Sequence, residues 1–157
     1  MVWKYRKGPI SRKGFPDGNL RIGYVWESAI QGHAPNLESQ LADVRDCHKI
    51  FHDKITFESC VLSPRTKFAE MCQFLRDGDT VVVHCISSLG TSMLEITDNV
   101  LSLMSDRCYL QIPGYKIDTT NPETCEIMVG VFQGLAMVEE QGLGVDSHKS
   151  WIRRTCS

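Results

Sequence analysis

No run of apolar residues in this 157-residue chain approaches the roughly 18 needed to cross a bilayer, which excludes a bundle of membrane-spanning helices. The first residues carry no apolar signal region. No Cys-x-x-Cys pair occurs among the cysteines, Cys47, Cys60, Cys72, Cys85, Cys108, Cys125 and Cys156. An odd number at scattered spacings argues against a disulfide framework or a zinc ribbon and for reduced thiols. His48 and His52 are four apart and His84 adjoins Cys85, but no fourth ligand stands at a recognisable spacing, so no metal and no cofactor is expected. The net charge of −2 gives no whole-chain reason to bind nucleic acid. No internal repeat or low-complexity stretch appears. These absences point to a soluble, cytoplasmic protein.

What is present suits one globular domain with a sizeable core: 42% hydrophobic and 23% charged residues. The charge is uneven. Residues 1–20 hold Lys4, Arg6, Lys7, Arg12 and Lys13 against Asp17 alone, with scattered glycine and proline, and read as a flexible basic arm. With Trp3, Tyr5 and Phe15 among its cations, such an arm would at most touch nucleic acid loosely.

The stretch RDGDTVVVHCISSLGTS, residues 76–92, organises the rest. Val81, Val82 and Val83 lie between a turn signal and a polar loop, as in a strand buried on both faces of a parallel sheet. In open α/β sheets the chemistry sits past the carboxyl ends of the strands, so the loop 85–92 is where a site belongs. Around it the pattern alternates. Strands are expected at 21–26, 49–51 and 109–112. Helices are expected at 37–45 with Leu37, Leu41 and Val44 on one face, at 65–76, at 92–106 with Ile96, Val100, Leu103 and Met104 inward, and at 121–141. Residues 53–64 read as an irregular polar loop. The alternation implies right-handed βαβ units. The last helix is apolar nearly all round over 127–138: either the core takes one face and a partner helix the other, with Gly130 and Gly134 allowing close approach, or the helix simply packs on the sheet.

RIGYVWES, NLESQL, IFHDKI and FLRDGDTVVVHCISSLGTS, in that order, resemble the catalytic domain of the resolvase/invertase serine recombinases over residues 21–140. The resemblance implies a flavodoxin-like, mostly parallel sheet with flanking helices and a long carboxyl-terminal dimerisation helix. It sets out a domain at 21–141 and a short tail at 142–157, with no room for a helix-turn-helix reader. It also names a site. Ser28 stands at the family's nucleophile and Arg65 at a family arginine. Trp26 stands where the first strand should bring an arginine, with Glu27 beside it. Ser87, Ser88 and Thr91 stand where the third strand should end in an aspartate and two arginines, while Leu89 and Gly90 keep the family pattern. Glu139 matches a family glutamate, and Glu140 takes a position that is usually arginine.

The chemistry makes those losses matter. Attack of a hydroxyl on a phosphodiester concentrates negative charge on the phosphoryl oxygens, and fixed arginines stabilise it by forking onto two oxygens at once. One such arginine is worth on the order of 10³–10⁵ in rate. The expectation is therefore a recombinase homologue without catalysis, acting as a homodimer through residues 121–141 or by pairing with an active recombinase, with weak or absent DNA contact. The alternative is a divergent working recombinase that uses Ser28 with arginines borrowed from elsewhere, Arg12 or Arg21.

Overall fold

The computed structural model describes residues 10–29, 32, 34–55 and 65–141. Five strands form one sheet in the order β2-β1-β3-β4-β5: β1 Arg21–Ser28, β2 Lys49–Ile55, β3 Thr80–Val82, β4 Tyr109–Ile112 and β5 Ile117–Asp118. The first four are parallel and β5 runs antiparallel to β4. Four helices connect or flank them: α1 Leu37–Val44, α2 Thr66–Phe74, α3 Met93–Ser105 and α4 Pro122–Glu140. This is the resolvase-like α/β architecture that the sequence led us to expect.

The strand pleat divides the core into two layers. Val25 and Val82 pack with Val44 of α1 on one face. Tyr24, Trp26, Val81 and Leu110 pack on the other with Phe68 and Met71 of α2, Val100 and Leu103 of α3 and Phe132 of α4. Gly23 fits this arrangement because a Cβ there would fall 2.6 Å from Val44 Cβ.

The helix starts are written locally. Asn36 Oδ1 accepts from the Ser39 amide, Ser92 Oγ from Glu95, and Asn121 Oδ1 from Glu123, with Pro122 in the first turn of α4. The start of α2 is the exception. Its cap comes from β2, where Asp53 accepts the Lys67 and Phe68 amides at 3.0 Å each.

Several expectations need correction. The second strand runs on to Ile55, paired with β1 as far as Ser28, so Asp53 lies inside a strand and is buried rather than in an irregular loop. On α1 Val44 is buried as expected, but Gln40 is buried as well, while Leu41 is 38% exposed. The Gln40 amide accepts from the Trp26 N–H and donates to the Trp26 carbonyl. It thereby stands in for a neighbouring strand where β1 outruns β3, which pairs with it only through Gly23. Strand β5 was not anticipated. Of the expected arm, residues 1–9 lie outside the described residues, and Ile10–Leu20 packs on the domain, with Leu20 1% exposed. The tail 142–157 and its glycines lie outside the described residues too.

Candidate active site

The carboxyl ends of β1 and β3 meet the loop that carries the sequence's candidate residues. Ser28 closes β1, half-buried, opposite Ile55. Two residues earlier on the same face of the strand, Trp26 is buried at 4% exposure. The guanidinium of Arg65 lies over its ring, Cζ 4.7 Å from the centroid. Arg65 also reaches the far side of the site, where Nη1 donates to the Ser88 carbonyl at 2.6 Å and Nη2 to the Gly90 carbonyl at 3.3 Å. Its Nε is buried and finds no acceptor among the described residues. The guanidinium of Arg65 is thus turned onto an aromatic ring and two backbone carbonyls.

The positions where the resemblance leads us to expect charge have internal roles. Ser88 is fully buried beside the Cys85 thiol, its Oγ 3.7 Å from Sγ, and Ser87 Oγ stands 2.9 Å from the same sulfur. Thr91 donates from both its amide and its hydroxyl to Glu95 Oε2, so it serves the start of α3. Leu89 and Gly90 have structural reasons to be what they are. Leu89 is buried in the core, and a Cβ on Gly90 would lie 2.8 Å from the Ile96 amide nitrogen.

Beneath Arg65 runs a second layer. The Tyr24 hydroxyl donates to Asp53 Oδ2 at 2.7 Å. Burial pushes that hydroxyl far above its ordinary pKa, with the Asp53 carboxylate adding to the effect and the Arg65 charge opposing it. Tyr24 is therefore a fixed donor and not a proton shuttle. Asp53 is the residue that reading the sequence missed. The signal was faint: a single acid in a strand whose period-two pattern turns it inward.

The two arginines considered as replacements lie elsewhere. Arg12 binds Asp79 at the amino end of the sheet, and Arg21, on the face of β1 opposite Trp26 and Ser28, donates from Nη1 to Gln111 Oε1 at 2.5 Å. Glu27 is held by His52 at 2.8 Å on the opposite face from Trp26. His84 pairs with Asp43 at 2.7 Å, and His48 Nδ1 accepts the Arg21 amide. Each of these histidines has a partner of its own, and no group of three metal-binding side chains occurs among the described residues. A cavity of about 340 Å³ beside the loop is lined by Cys85, Ile86, Ser87, Ile112, Tyr115 and Ile117, with no cation among them.

Away from the site, α4 turns Cys125, Met128, Phe132 and Leu135 toward the domain. It leaves Ile127, Val131, Met137 and Val138 exposed at 65, 53, 59 and 40%, with Gly130 and Gly134 open beside them. Glu139 and Glu140 end the helix. No helix among the described residues is long and apolar enough to cross a membrane.

A family model described as the resolvase N-terminal domain matches residues 21–156. No curated protein matches the chain.

Proposed function

Because the chain belongs to the resolvase N-terminal-domain family, we propose that it keeps the serine-recombinase fold without the strand-transfer chemistry and acts through protein contacts. The observation that carries this reading is the direction of Arg65. A guanidinium that already donates to two carbonyls and covers a tryptophan ring has its strongest directions used. Trp26, Ser87, Ser88 and Thr91 supply no charge at the positions where the family's cations would stabilise a pentavalent phosphorus. Arg12, engaged by Asp79, and Arg21, engaged by Gln111 on the opposite face, do not make up the deficit.

The contact surface of this reading is the outer face of α4. Ile127, Val131, Met137 and Val138 with two open glycines form an apolar stripe that fits a second copy of the chain, or the equivalent helix of an active recombinase whose mixed assembly it would disarm.

One experiment separates this from the working-enzyme alternative, and a second tests the α4 interface. Incubation with supercoiled DNA gives no covalent protein–DNA adduct; an adduct that disappears in Ser28→Ala would establish the enzyme. Sedimentation shows a dimer; a strict monomer at high micromolar concentration would remove the α4 interface.

A further inference from the structure

We propose that residues 10–20, which precede the matched family segment, are a clamp built into the fold. An Arg12-x-x-Phe15 segment docks in a groove at the amino end of the sheet, so the cooperative unit includes Ile10–Leu20 and does not begin at Arg21. The groove is made by the start of β2, the end of α2 and the turn that leads into β3.

Asp79 is its anchor. It is fully buried and takes both ends of the Arg12 guanidinium fork, together with the amides of Leu20 at 2.9 Å and Arg76 at 2.7 Å. Arg12 donates as well to the Phe74 carbonyl at 2.6 Å and lies over the Phe74 ring, 4.7 Å from its centroid. The clamp is held from both sides, because Arg76 Nη2 donates back to the Ile10 carbonyl at 3.1 Å. Phe15 then meets Phe74 edge to face at 5.3 Å. The Lys49 ammonium lies 5.8, 5.0 and 5.8 Å from the rings of Phe15, Phe51 and Phe74, a three-ring cage closed by the clamp's own aromatic.

A solvated arm would have no reason to place an arginine on a buried carboxylate. Conversely, the carboxylate without the arginine would be a buried charge lacking its counter-charge. The clamp also ties β1 to β3, since the Leu20 amide rests on Asp79 and the Leu20 carbonyl accepts the Thr80 amide.

The test uses the full chain and limited trypsin digestion, reading cleavage after Lys13, with hydrogen exchange at the Leu20 amide as a second probe. In the wild type, cleavage after Lys13 is slow and the Leu20 amide exchanges only with global unfolding. Arg12→Met keeps the stem and loses the fork; it is cut about tenfold faster or more and unfolds at lower urea. Arg12→Lys falls between the two, because a point charge does not span both oxygens. Should Arg12→Met fail to fold, Phe15→Ala reads the aromatic half of the clamp in the same way. Wild-type chain cut after Lys13 as fast as the variants, with urea midpoints unchanged, would overturn the proposal.

Discussion

The two ends of the sheet treat their arginines in opposite ways. At the amino end, Arg12 meets a buried carboxylate, and charge is matched by charge. At the carboxyl end, Arg65 meets carbonyl dipoles and a ring. The amino end is a closed structural joint. On the function we propose, the carboxyl end has the outline of a phosphate pocket whose cation is drawn inward. On that reading, a binding site is lost without loss of fold: the groups at the site find internal partners, and those partners oppose a return to binding.

The largest expected effect lies at the amino end. Asp79→Ala leaves the Arg12 charge uncompensated and two amides without their acceptor, and costs about 3–5 kcal/mol in urea unfolding. A loss below 1 kcal/mol would mean that the joint is not closed. At the carboxyl end, Arg65→Ala removes two charge-assisted hydrogen bonds and the contact with Trp26, and costs about 2–3 kcal/mol. An arginine whose donors faced outward would cost within about 0.5 kcal/mol when removed, so this variant reads directly which way Arg65 points.

The outer face of α4 belongs to neither end and separates assembly from fold. Val131→Asp abolishes the dimer in sedimentation while monomer stability stays within about 0.5 kcal/mol. Parallel loss of stability would place Val131 in the monomer's own core.

The smallest effect is one of pH. Burial, with some help from Asp46 and against the Arg21 charge, pushes the Cys47 thiol up from 9.0 to about 11. The unfolded thiol ionises first, so this contribution is complete below pH 9 and declines as pH rises through 11. Cys47→Ala removes that part of the slope; an unchanged slope would assign it elsewhere.

The layout was legible in the sequence because it depends on local signals. Apolar period and turn residues placed β1, β3, β4 and helices α1 to α4 within a few residues. The joints between elements were not legible, because each pairs residues far apart in the chain. Gln40 reads as a polar residue on a helix until β1 is seen to outrun β3. Asp53 reads as loop until β2 is seen to continue to Ile55. Arg12 reads as part of a solvated arm until Asp79, 67 residues away, is seen beneath it. The missing charges at Trp26, Ser87, Ser88 and Thr91 could be read from the resemblance alone. That Arg65 had turned inward could not.

The central claim is tested most directly by following the Arg65 side-chain nitrogen resonances while inorganic phosphate is titrated into the protein. Our account predicts that the Arg65 signals stay unmoved at millimolar phosphate, as expected for donors held by the Ser88 and Gly90 carbonyls. A saturable shift of those signals, accompanied by changes at Ser28, would contradict it and restore the pocket as a working phosphate site.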